Sequence, residues 1–87
     1  MELSTEKKLM IAFGNTHISL ETARIEYLPH LSEAVIKRRA KVQSLPWPVI
    51  KVDDSNKAKL LVSIKAIAEW LDSKEAEAKD EWKKINH

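Results

Sequence analysis

Four of the five residues from 37 to 41 are cations: Lys37, Arg38, Arg39 and Lys41. Such side chains offer two chemistries. A guanidinium can fork onto the acceptor edge of guanine, and either kind of cation can neutralise a phosphate. The other candidates for chemistry are weaker. His17 and His30 lie far apart with no cysteine to join them, which is not metal-ligand spacing. Asp53 and Asp54 are adjacent within DDSNK, which suits a polar turn better than an acid/base pair. Gly14 is the only glycine, so no glycine-rich phosphate loop exists, and no nucleophile signature is present. No catalytic residue, metal ligand or cofactor is assigned, and the chain is expected not to be an enzyme.

The cations at 37–41 belong to a wider imbalance. Residues 30–65 carry eight basic and three acidic side chains, a net +5, while 1–29 carry −1 and 66–87 carry −2. A basic block between two mildly acidic flanks is the electrostatic footprint of a nucleic-acid partner, although a charge run can equally be a solvated surface. Eighty-seven residues make one small domain with a limited core. Without cysteine there is neither a disulfide framework nor a thiolate zinc site. No apolar run approaches a membrane span, and LMIAF after Lys7 and Lys8 is too short for a signal-peptide core. A cytoplasmic protein with no membrane partner is expected.

Several elements must position these cations. LMIAFGNTHI opens with an apolar run closed by Gly14-Asn15, and it reads either as a strand or as the end of a helix. Ser19 caps a helix from about 20 to 28, with Leu20, Ala23 and Tyr27 on one face and Pro29 as its stop. Ser32 caps a second helix over 32–42 that ends before Leu45-Pro46. A helical wheel groups Leu31, Val35 and Val42, with Ile36 and Ala40 flanking them. It sets Lys37 and Lys41 opposite that group, Arg38 to one side, and Arg39 near the apolar side within reach of Glu26. Pro46-Trp47-Pro48 then bars further helix, VIKV and LLVSI make a hairpin over 49–64, and a helix from about 65 to 85 follows.

This order predicts an α+β, mostly helical fold: a winged helix-turn-helix with a two-stranded β-hairpin wing and a long C-terminal helix. It forms a single domain over 1–87, with a body at 9–71 and a helical extension at 72–87. Helix 32–42 would then enter the major groove of double-stranded DNA, with Arg38 as the guanine reader and Lys37 and Lys41 on base edges or phosphates. Lys51, Lys57 and Lys59 on the wing would touch the flanking backbone, and Ser32 and Arg39 complete the candidate DNA-contacting set.

The chain also resembles the pyocin-activator (PrtN-like) family of small phage and prophage regulators, over about residues 9 to 79. LMIAFGNTHISLE, Tyr27-Leu28, LSEAVIKRRA and LPWPVIKV carry the resemblance, together with Asp54-Ser55-Asn56-Lys57-Ala58 and LLVSIKAIAEWLDSKEAEAK. It implies a DNA-binding transcriptional activator of phage-derived operons, with RNA polymerase or other phage proteins as further partners. An excisionase or architectural factor on a related fold is the rival reading. A small inhibitor module whose basic face meets an acidic protein is the third.

Two apolar features remain. Trp70, Ile67 and Leu71 are expected to close the core against the hairpin and the helix at 20–28, with Trp47 at the base of the wing. Leu71, Ala78, Trp82 and Ile85 recur on one face of the last helix, which implies either packing on the N-terminal segment or a homodimer.

Overall fold

The computed structural model describes residues 2–86. Four helices and three strands follow in the order α1 (Thr5–Phe13), β1 (His17–Ser19), α2 (Leu20–Tyr27), α3 (Glu33–Lys41), β2 (Ile50–Lys51), β3 (Leu60–Ser63) and α4 (Ile64–Ile85). Serine opens every helix. The hydroxyls of Ser4, Ser19, Ser32 and Ser63 accept from the amides of Lys7, Thr22, Val35 and Ala66, at 2.9–3.2 Å. Each cap satisfies a donor that the first helical turn leaves orphaned.

The ambiguous opening run is a helix. It ends at Gly14, whose φ of 72° turns the chain left-handed while its amide donates to the Met10 carbonyl. The expected two-stranded ribbon is instead part of a three-stranded antiparallel sheet in the order β1-β3-β2. Ile18 pairs with Val62, and Ile50 pairs with Leu61. The extra strand shields the hairpin's inner edge, which a lone ribbon would leave unpaired. The strands are also shorter than VIKV and LLVSI suggested, and Ile64 already belongs to α4.

The core gathers Ile18, Leu20, Ala23, Ile36, Ala40, Trp47, Val62, Ile64 and Ile67. Three rings meet edge to face: Trp70 lies 5.6 Å from Trp47 and 5.9 Å from Tyr27. Trp47 is 1% exposed, and its indole Nε1 has no hydrogen-bond partner. α1 packs along the first turns of α4, where Thr5 Oγ1 donates to Asp72 Oδ1 at 2.6 Å. α1, from Thr5 onward, therefore lies against the same body as the sheet and α4.

Two wheel assignments on α3 are corrected. Ile36 and Ala40 are the buried pair, whereas Val42 is 71% exposed because the helix has ended there and the chain has turned away. Arg39 makes no ion pair with Glu26 among the described residues; both side chains are exposed.

Candidate nucleic-acid interface

Burial of Ile36 and Ala40 fixes how α3 presents its cations. Arg38 is two residues from each, about 200° around the helix, so it stands at the outermost point. Lys37 and Lys41 lie on the flank that faces the hairpin. An open groove runs between α3 and the β2–β3 hairpin, and it brings Lys37, Arg38 and Lys41 together with Lys51, Lys57 and Lys59. Six of the eight expected DNA-contacting residues thus share one surface. Ser32 and Arg39 do not line it. The Ser32 hydroxyl is engaged as the helix cap, and Arg39 lies outside the groove.

The groove's acids do little to cancel this charge. Glu21 lines it, but the Arg24 guanidinium forks onto both of its carboxylate oxygens. That hydrogen bonding holds the Glu21 carboxyl below its usual value against the opposing effect of desolvation. Glu33 is the second acid, at the first turn of α3 where the helix dipole favours it. Among the described residues no acidic side chain makes an ion pair with any of the six groove cations.

Two side chains that the sequence did not single out set the groove's shape. Arg24 also donates through Nη1 to the Leu31 carbonyl at 3.0 Å, tying α2 to the turn that leads into α3. Gln43 follows α3 with a φ of 53°, an uncommon left-handed conformation for a residue other than glycine. Its carboxamide clamps Val49: Nε2 donates to the Val49 carbonyl and Oε1 accepts the Val49 amide, both at 3.1 Å. Side-chain amide and backbone pair like two strand residues, fastening the end of α3 to the start of β2. Trp47 plugs the loop between them. At the hairpin tip Asp53 Oδ1 accepts from the Ser55 amide at 2.7 Å, which pulls the carboxyl below its usual value. His17 and Asn56 also line the groove and add polar capacity.

A signal existed for the caps, since a serine three residues before the donating amide is readable. None existed for Gln43, whose role depends on a residue six positions away and on a rare backbone angle. No group of three His, Cys, Asp or Glu residues able to hold a metal occurs among the described residues. Nor is any helix among them long and apolar enough to cross a membrane.

Fold and groove together define a small α+β protein with an open cationic groove and no buried charged side chain among its described residues. The family model described as pyocin activator protein PrtN matches residues 5–78, and the chain belongs to that family. Membership bears out the resemblance carried by LSEAVIKRRA and LPWPVIKV. It suggests a phage-related transcriptional activator and a regulatory, not enzymatic, role. Neither a curated protein nor a solved structure matches the chain.

Proposed function

We propose that this chain is a sequence-specific DNA-binding activator of phage or prophage-derived genes, acting as a winged helix-turn-helix. α3 enters the major groove, Arg38 reads guanine, and Lys37 and Lys41 hold base edges or phosphates. Lys51, Lys57 and Lys59 reach the flanking backbone from the hairpin, and RNA polymerase is the further partner of an activator. The observation that carries this reading is the convergence of six cations on one groove, none of them in an ion pair among the described residues. A helix flanked by a cationic hairpin can span a groove edge and the adjoining strand, which scattered surface lysines cannot.

The test is selection of bound fragments from a host genome, followed by a reporter assay on the enriched sites. Enrichment over a charge-matched control, with reporter induction, is expected. Enrichment at recombination sites without induction would assign the protein to excision instead. No enrichment would reject DNA as the ligand and favour an acidic protein partner.

A further inference from the structure

The second half of α4 has no intramolecular cover among the described residues. From Asp72 to Asn86 every side chain is exposed, and Trp82 and Ile85 keep 64% and 82% of their surface. The N-terminal segment does not reach them, because α1 starts level with Asp72 and runs back toward the sheet. Yet the stripe is continuous. Leu71, Glu75, Ala78, Trp82 and Ile85 alternate spacings of four and three, the repeat of a helix–helix seam. Leu71 ends the buried half and is itself only partly covered by the body.

The charges beside the seam name its occupant. Asp72 and Lys79 flank it on one side, Lys74 and Glu81 on the other. We infer that α4 pairs antiparallel with α4 of a second copy, its two-fold axis falling between residues 76 and 77. Trp82 of the partner copy then covers Leu71, and Ala78 of the partner faces Glu75, whose stem lies in the seam while its carboxylate stays with Lys79. In that register Asp72 meets the partner's Lys79 and Lys74 meets the partner's Glu81, each contact occurring twice by symmetry. Asp72 retains a carboxylate oxygen for this after accepting from Thr5. A parallel pair would instead set Lys74 against the partner's Lys79, like against like. The charge pattern selects both the partner and its direction.

Sedimentation equilibrium of the full chain tests this, since the substitutions lie outside the core and leave the body folded. A dimer is expected for the native chain. Trp82→Ala should weaken it at least about a hundredfold, because the large ring is removed from both ends of the seam at once. Glu81→Lys should weaken it about tenfold by opposing Lys74 on both sides of the axis, and adding Lys74→Glu should restore it. A chain that stays monomeric at high micromolar concentration overturns the inference and leaves the stripe to a different protein. A dimer indifferent to Trp82→Ala overturns it too, and one that Glu81→Lys strengthens overturns the antiparallel register.

Discussion

Lysines serve two different regions of this molecule. On the distal part of α4, Lys74, Lys79 and Lys84 each sit one turn from an acid, at 3.3 Å from Glu77, 3.4 Å from Glu75 and 3.1 Å from Asp80. Along the groove, the lysines of α3 and the hairpin have no such partner. Both sets are exposed, so burial does not distinguish them. Local pairing does. A cation whose helix supplies its own counter-ion gains little from a phosphate, whereas an unpaired set repels itself and is relieved when an anion enters. Among the described residues, the groove cations are therefore left without ion pairs, unlike Lys74, Lys79 and Lys84.

That comparison can be broken in stages. Arg38→Ala should cost the preferred DNA site about 1–3 kcal/mol and relax specificity, measured by titration against the site and a scrambled duplex. An equal loss on both duplexes would reduce Arg38 to an electrostatic role. Next, Lys57→Ala and Lys59→Ala should weaken binding to all sequences alike and lower the salt slope by about one unit for each phosphate no longer neutralised. Lys84→Ala on α4 is the control and should leave the slope unchanged; a drop would show that paired lysines bind phosphate as well.

Gln43→Ala should destabilise the protein by about 1–2 kcal/mol in chemical denaturation, since two hydrogen bonds to Val49 vanish while the positive φ remains. Gln43→Gly relieves the backbone but not the clamp, so it should fall between Gln43→Ala and the native chain. The smallest effect is acidic. The carboxyls of Glu21 and Asp53 titrate below their unfolded values, so the stability they contribute is complete above those values. It is lost as pH falls through the folded ones. Because Asp53 is exposed and Glu21 only half-buried, solvent screens both groups and only a shallow decline in Tm is expected on acidification below about pH 4. Asp53→Asn, which can still accept from Ser55, should flatten part of it.

Much of this was legible in the sequence for local reasons. Serine caps, Pro29 as a stop, the glycine turn and the Leu-Pro-Trp-Pro break each act over a few residues, so helices α2, α3 and α4 could be placed from composition alone. The six groove cations were legible as a charge block. Their shared surface was not, because it requires α3 and the hairpin to be held side by side by Trp47, Gln43 and the sheet.

Tertiary structure alone decided three matters. It made His17–Ser19 a strand, since three residues carry no readable period and only pairing with β3 defines them. It chose Ile36 and Ala40 over Val35 and Val42 as the buried side of α3, because a wheel gives the spacing of a face but not where the helix stops or which neighbour covers it. And it split one apolar stripe on α4 into a half sealed by α1 and a half left open. Periodicity fixes which side chains line up along a helix; what meets them depends on where the rest of the chain has gone.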